Sequence, residues 1–252
     1  DHVVPGETSR VQVGVGRYRG APPADCDFLL ERLCRFLGEM PKEMPHIPNS
    51  CIATALIRAI VAHVYLAWIH PFGDGNGRTA RLLEFFILVE AGLPTPSAHL
   101  LSNHYNETRA EYYRQLDASS QANGNLVPFI EYAISGFIKN LRDQIGAVRM
   151  QGLHVSWQHY VYESFRGKSS EARRRQRQIV LDLSWKEPCT KKQIPNLSPR
   201  LASFYARKTE KTLTRDLNKL VDQGLLAQTE AGYRVPAEAI LAFLPRSKPE
   251  QA

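Results

Sequence analysis

One apolar stretch in the first third of the chain constrains its fold more than any other feature. Asn49 or Ser50 can cap a helix that runs to about Trp68. The apolar residues of that helix cover most of its circumference, and they are Ile52, Ala55, Leu56, Ala59, Ile60, Val64, Leu66 and Ala67. Such a helix lies buried at the centre of a domain. It should end near His70, because Pro71 disfavours helical geometry in the preceding residue.

Further helical patterns surround this central helix. Apolar residues recur at helical spacing after a possible cap at Asp25, and helices are also predicted near residues 76–91, 105–118 and 126–145. Residues 1–23 are rich in Gly and Pro, and the alternation from residue 11 to residue 18 predicts a loop with a short strand or hairpin. The sequence therefore predicts a mainly α domain with one hairpin over residues 1–150.

A different pattern follows a polar, helix-compatible connector at residues 151–176. Residues 177–185 predict a helix, and residues 190–194 and 198–206 predict shorter pieces. An amphipathic helix at 209–224 precedes a strand, a turn and a second strand at 225–235. This order is typical of a winged helix-turn-helix, which we assign to residues 177–245. Such modules also serve for protein docking or dimerisation.

The charge of the chain is concentrated in this second region. The whole chain carries a net charge of +7, whereas residues 171–220 alone contain 13 Lys and Arg against 5 Asp and Glu. A basic block of this kind favours an anionic partner, so DNA is one predicted partner. The candidate contacts are Lys208, Lys211, Thr212, Arg215 and Arg234, with Arg173 to Arg175 as further phosphate contacts.

The composition narrows the classes of protein to which this chain can belong. The four cysteines are far apart and form no CxxC pair, which favours reduced thiols in a cytoplasmic protein. The longest apolar run considered, residues 59–69, is too short for a membrane span, and no signal peptide is present. We therefore expect no membrane partner, and the sequence is compatible with a monomer or an oligomer.

The chemistry of the chain is concentrated in residues 70–81, His-Pro-Phe-Gly-Asp-Gly-Asn-Gly-Arg-Thr-Ala-Arg. Gly73, Gly75 and Gly77 allow a tight turn whose N–H groups, just before a helix, form a phosphate-binding concavity. Arg78 and Arg81 share one face of that helix and suit a polyphosphate.

Three further side chains of this loop complete the predicted chemistry. Asp74 supplies an oxygen ligand for Mg²⁺, which usually needs only one or two carboxylates besides the phosphates of a nucleotide. Asn76 can donate or accept a hydrogen bond near the same phosphates. His70, at the mouth of the loop, can take a proton from an attacking hydroxyl.

Other phosphate and metal loops do not fit this sequence. A dinucleotide fingerprint follows a strand, whereas a helix is predicted here. A Walker A loop requires Gly-Lys-Ser/Thr, which is absent, and an EF-hand requires Asp or Asn where Arg78 stands.

Residues 70–81 resemble the defining motif of the Fic family, His-x-Phe-x-Asp/Glu-Gly-Asn-Gly-Arg-x-x-Arg, at every specified position. The resemblance extends from about Val4 to Leu141. It implies a Fic helical core with a hairpin flap that holds a target segment. It also implies a protein adenylyltransferase that transfers AMP from ATP, with Mg²⁺, to a Ser, Thr or Tyr hydroxyl of a target protein or of itself.

The same resemblance implies a role for each residue of the site. His70 is the base, Asp74 holds Mg²⁺, Gly75, Asn76 and Gly77 cradle the phosphates, and Arg78 and Arg81 contact the outer phosphates. Tyr113 aligns with an aromatic residue near the adenine, although simple helix packing is an equal alternative. The other function that we keep open is a nucleotide-sensing, DNA-binding transcription regulator. A sensor would not need His70.

Many Fic proteins resemble one another in an inhibitory helix with the pattern Ser/Thr-x-x-x-Glu-Gly/Asn, whose Glu pairs with the second arginine of the motif. No Glu followed by Gly or Asn occurs in this chain. We therefore expect an inhibitory helix, if there is one, to lie upstream of residue 1, with Arg81 as its partner.

Overall fold

A computed structural model describes residue 4 and residues 6–15, 18–44, 46–167, 169–184 and 187–236. The chain divides into two units, residues 1–144 and residues 145–252. Both units are mainly helical, in agreement with the sequence prediction, and each has an apolar core of its own. The last part of the predicted winged-helix region, residues 237–245, lies outside the described residues.

The first unit consists of a small hairpin and a set of helices. The hairpin pairs β1 (Gly14–Val15) with β2 (Tyr18–Arg19) in antiparallel register, with Gly14 opposite Arg19. The helices are α1 (Pro23–Glu39), α2 (Cys51–Ile69), α3 (Asn76–Glu90), α4 (Thr95–Ala98), α5 (Leu100–Glu107), α6 (Arg109–Gln121) and α7 (Val127–Ser164). The start of α7 belongs to this unit and its end to the second.

Helix α2 is the core of the first unit, as its composition predicts. It packs against α1 and α3, and Ala59, Ile60, Ala62 and Val64 are fully buried. The expectation that no segment reaches membrane-spanning length is wrong for this helix, which is long and apolar enough by length and composition. Most of α2 is buried inside the unit, which is typical of a core helix.

Three local predictions differ from the structure. Asp25 lies in the first turn of α1 rather than at its cap, which is Pro22. Ser50 precedes α2, but its hydroxyl accepts the N–H of Met44 (2.7 Å) instead of capping the helix. The helix predicted at 105–118 is divided into α5 and α6 at Thr108, whose hydroxyl donates to the carbonyl of His104 (2.7 Å).

The second unit contains the end of α7 and then α8 (Glu171–Asp182), a 3-10 turn (Ile194–Asn196), α9 (Pro199–Tyr205) and α10 (Glu210–Asp222). Two antiparallel strands follow, β3 (Ala227–Thr229) and β4 (Gly232–Arg234), and Cys189 adds an antiparallel bridge to Tyr233. The connector predicted at residues 151–176 falls inside this unit, where it forms parts of α7 and α8.

A buried polar cluster joins three helices of the second unit. The carboxylate of Asp216 on α10 accepts from Arg175 Nε (3.0 Å) and Gln176 Nε2 (2.8 Å) on α8, and from the Tyr205 hydroxyl (2.8 Å) on α9. Arg175 is only 7% exposed. The prediction that Arg175 contacts phosphate is therefore wrong, because its guanidinium is committed to a buried ion pair.

Replacing Phe129 tests whether α7 closes the core of the first unit. Phe129 is fully buried, so Phe129→Ala leaves a cavity and should lower the free energy of unfolding by about 3–5 kcal/mol. Phe86→Ala is the matched control, because that ring is 63% exposed and its loss should cost less than about 1 kcal/mol. Urea denaturation followed by circular dichroism measures both, and equal losses would contradict the assignment.

Candidate functional site

The end of α2 places the His70 side chain at the candidate site. His70 caps α2 in the left-handed conformation, with φ of 51°, and its N–H donates to the carbonyl of Leu66. Its ring Nδ1 lies 3.1 Å from the carbonyl oxygen of Ala67. Because a carbonyl can only accept, this bond requires the proton on Nδ1, and it leaves the lone pair of Nε2 free to take a proton.

The hairpin is fastened to the same helix end. Gly20 allows a close approach, since a Cβ at this position would come within 2.7 Å of the His70 Cβ. The Tyr18 hydroxyl donates to the carbonyl of Trp68 (2.5 Å), and the N–H of Ala21 donates to that of Ile69 (3.0 Å). The candidate base and the hairpin are therefore positioned by the same helix turn.

The loop between α2 and α3 is held by a buried side chain. Asn76 is 3% exposed, its Oδ1 accepts the N–H of Phe72 (2.8 Å), and its Nδ2 donates to the carbonyl of Phe72 (2.5 Å). The structure thus places the Asn76 carboxamide within the loop, and its backbone N–H is the group that can face a phosphate.

The first turn of α3 has the properties of an anion site. Gly75 precedes it with φ of 87°, a conformation that favours glycine, and no side chain of the described residues caps the helix. The first N–H groups of α3 therefore lack a capping side chain and lie at the positive end of the helix dipole. The Gly77 position is close to Arg81, because a Cβ there would lie 3.3 Å from a guanidinium nitrogen.

Asp74 and Arg78 form an exposed ion pair. Arg78 donates to Asp74 Oδ2 (2.7 Å), while Oδ1 accepts the N–H of Gly75 (2.6 Å). Exposed pairs of this kind contribute roughly 0–1 kcal/mol, so both side chains can change partners at little cost. The described residues contain no cluster of three metal-ligating side chains. A cation here would depend on Asp74 together with the oxygens of a bound ligand.

These groups line one cavity of about 660 Å³, a size suited to a nucleotide. It is formed by the loop, the start of α3, the helices α5 and α6, and the hairpin. The structure brings all the predicted site residues to this cavity, namely His70, Asp74, Gly75, Asn76, Gly77, Arg78, Arg81 and Tyr113. Further lining residues were not predicted from the sequence as site residues, among them Ser102, Asn103, Tyr105, Asn106, Arg109 and Tyr112.

The wall opposite the loop carries an aromatic ring beside a cation. Tyr113 is 45% exposed, and the guanidinium carbon of Arg109 lies 5.8 Å from the centre of its ring. Residues 109 and 113 are one helical turn apart and share a face of α6, which is the sequence signal that could have identified Arg109. An exposed ring at the cavity can stack on a base, and contact of Tyr113 with the adenine stays a prediction.

A buried polar cluster lies behind the cavity. His63 is fully buried on α2, and its Nε2 is 3.0 Å from the hydroxyl of Tyr112. Its Nδ1 is 3.0 Å from Glu84 Oε2, within ion-pair distance but without the alignment of a hydrogen bond. Burial and the neighbouring Glu84 raise the pKa of the Tyr105 and Tyr112 phenols far above their ordinary value. Both phenols therefore keep their proton to a higher pH than an exposed tyrosine does.

Residues 1–88 match the Fic/DOC family. The protein adenylyltransferase fic-1 of Caenorhabditis briggsae is 33% identical over 155 residues, which cover 62% of this chain and 27% of that protein. The Drosophila melanogaster protein adenylyltransferase Fic is 33% identical over 132 residues, 52% of this chain and 24% of that protein. The chain thus spans about a quarter of the length of these relatives.

A solved structure was also found to be similar. A Fic family protein from Desulfovibrio desulfuricans superimposes with a TM-score of 0.47 at 18% identity, over 91% of this chain and 62% of that chain. A superposition this loose carries no argument about the fold.

The buried phenols predict how stability depends on pH. Above about pH 10 the unfolded chain ionises its tyrosines, while the folded chain keeps Tyr105 and Tyr112 neutral. The free energy of unfolding should then fall by up to about 1.4 kcal/mol per pH unit for each buried phenol. Tyr112→Phe should flatten this slope in urea titrations between pH 9 and 11. Tyr113→Phe removes an exposed hydroxyl and is the control, and the same slope in both variants would contradict the prediction.

Proposed function

We propose that this chain is a protein adenylyltransferase, which transfers AMP from ATP to a Ser, Thr or Tyr hydroxyl of a target protein or of itself. One observation carries the proposal: a histidine with a free Nε2 faces the same cavity as an uncapped helix N-terminus and two arginines. The match of residues 1–88 to the Fic/DOC family and the adenylyltransferase names of the relatives support it.

The proposed reaction follows from this arrangement. His70 Nε2 takes the proton of the target hydroxyl, whose oxygen attacks the α-phosphorus of ATP. The bond between the α-phosphorus and the bridging oxygen breaks, so AMP stays on the target as a phosphodiester and pyrophosphate leaves. The N–H groups at the start of α3, with Arg78 and Arg81, stabilise the charge that develops on the phosphates.

Mg²⁺ fits the side chains of the loop. Asp74 is an exposed carboxylate at the rim of the cavity, and its partner Arg78 can turn to a phosphate instead. One carboxylate beside nucleotide phosphates is a usual set of magnesium ligands. When bound, the ion would neutralise phosphate charge and orient the leaving group.

The hairpin offers a place for the target segment. Val13 and Gly14 line the cavity beside His70, and β1 pairs with a single strand, β2. An extended target segment that adds to this hairpin would bring its hydroxyl near Nε2 of His70. Residues 16 and 17, at the tip of the predicted flap, lie outside the described residues. A cytoplasmic location of the reaction stays a prediction.

The comparisons do not favour the nucleotide-sensing regulator. The relatives carry adenylyltransferase names, and His70 has the free nitrogen that a catalyst needs and a sensor does not. We therefore keep the enzyme as the proposed function.

For the second unit we propose a winged-helix module. The order of α8, α9 and α10 followed by β3 and β4, with the additional bridge at Cys189, supports this. Lys211 and Arg215 are exposed on α10, with no carboxylate within 4.0 Å among the described residues. Lys208 instead pairs with Glu171 (3.2 Å). We propose Lys211 and Arg215 as the main contacts of this module to a DNA backbone.

Labelled ATP tests the proposed reaction directly. The full chain, incubated with Mg²⁺ and ATP labelled at the α-phosphate, should label protein, and His70→Ala should reduce the rate at least about 100-fold. Chelation of Mg²⁺ should have a similar effect. His46→Ala is the matched control, because His46 is exposed and lies outside the cavity. Label that enters from the γ-phosphate, or that persists in His70→Ala, would refute adenylyl transfer by this base.

Salt dependence tests the DNA contacts. If Lys211 and Arg215 each neutralise one phosphate, Lys211→Ala with Arg215→Ala should reduce the slope of log affinity against log salt by about 1.8. Binding of a labelled duplex at several salt concentrations measures this slope. The control is Arg142→Ala with Arg149→Ala, which removes two exposed arginines from α7. Absence of duplex binding at low salt would rule out the DNA proposal.

A further inference from the structure

A second cavity, of about 610 Å³, lies within the C-terminal unit. Its walls are the end of α7, the following loop, α8 and α9. Four arginines line it, Arg166 after α7, Arg174 and Arg177 on α8, and Arg200 on α9. Three separate parts of the chain therefore contribute guanidinium groups to one concave surface.

The positive charge of this cavity is largely uncompensated. Arg166 pairs with Glu163 (3.1 Å), but this pair is exposed and contributes little. Among the residues that the structure describes, no carboxylate lies within 4.0 Å of Arg174, Arg177 or Arg200. Clustered guanidiniums repel one another, so this arrangement favours a ligand that carries several negative charges.

Aromatic rings lie between these arginines. Phe165 is 4% exposed, while Phe204 is half-buried. The ring of Tyr162 is 50% exposed, and the guanidinium carbon of Arg177 lies 5.1 Å from its centre. The cavity thus offers apolar, flat surface next to its charges, which a site for inorganic anions does not need.

We propose that this cavity binds a nucleotide with at least two phosphates. The volume suits a ligand of this size, the arginines suit its phosphates and the exposed face of Tyr162 suits its base. The cavity shares no lining residue with the His70 cavity and none with α10. It also lies outside residues 1–88, so the match to the Fic/DOC family does not account for it.

Binding of labelled ADP to the full chain tests this proposal. Arg78→Ala with Arg81→Ala first weakens binding at the His70 cavity, and equilibrium dialysis then measures the remaining site. We expect saturable binding to one site, and a loss of at least about tenfold in affinity when Arg177→Ala and Arg200→Ala are added. Arg149→Ala with Arg207→Ala removes the same charge from exposed positions outside the cavity and should change the affinity less than twofold.

A comparison of ADP binding with pyrophosphate binding identifies the ligand class. Tyr162→Ala should weaken ADP binding and leave pyrophosphate binding unchanged, because only the base uses the ring. Circular dichroism verifies that each variant is folded. If the double variant loses helix, Arg200→Ala alone replaces it in the binding measurement, because Arg200 is at an exposed position. The proposal is overturned by the absence of saturable ADP binding, or by equal losses in the two arginine pairs. Pyrophosphate that binds as tightly as ADP, or a 20-base-pair duplex that binds through Arg177 and Arg200 without competing with ADP, would also overturn it.

Discussion

Asn76 holds the turn between α2 and α3 by bonding to both the N–H and the carbonyl of Phe72. A carboxamide can donate and accept at once, so this one side chain closes the loop at two points. The distance between the end of α2 and the start of α3 is thereby set. Nε2 of His70 and the open N–H groups of α3 belong to these two ends, so the base and the anion site keep a constant relation.

The cavity behind this turn is supported by a charged residue that never reaches solvent. Glu84 is fully buried, and its closest described partner is the ring of His63. A buried carboxylate is costly unless it is well paired, so removing the His63 ring would leave Glu84 without this partner. The Tyr112 hydroxyl lies 3.0 Å from His63 Nε2, and burial together with Glu84 raises the pKa of the Tyr112 and Tyr105 phenols. Arg81, one turn before Glu84 on α3, faces the same cavity.

The features that depend on local residue chemistry could be predicted from the sequence. The apolar circumference of α2 and the alternating glycines of the loop were sufficient to place the core helix and the start of α3. The placement of the Asn76 side chain could not be predicted, because the sequence is the same whether its amide faces a phosphate or bonds within the loop. From the sequence, Glu84 cannot be distinguished from an exposed acidic residue on a helix. Only the packing of α2 against α3 shows that it is buried. Arg175 could not be separated from its two arginine neighbours, since only the position of Asp216 shows which one is buried.

The cavity walls from α5 and α6 were missed for a related reason. Asn106 and Arg109 line the site on either side of Thr108, where the sequence indicated a continuous helix and the structure has the break between α5 and α6. At this break the Thr108 hydroxyl bonds to α5 and to Tyr132, and one of these partners is 24 residues away. Helical periodicity contains no information about such a distant contact.

The ion pair between Asp74 and Arg78 has a consequence for how strongly ionic strength affects the His70 cavity. Each residue is already the counter-ion of the other. Arrival of a cation–polyphosphate complex therefore exchanges one pair for two new ones, with little change in the number of mobile ions held near the loop. Screening by salt would act on both sides of this exchange and largely cancel. The Asp74–Arg78 pair would thus add little to the salt dependence of the His70 cavity, which would come instead from Arg81, a residue with no carboxylate within 4.0 Å in the described part of the chain.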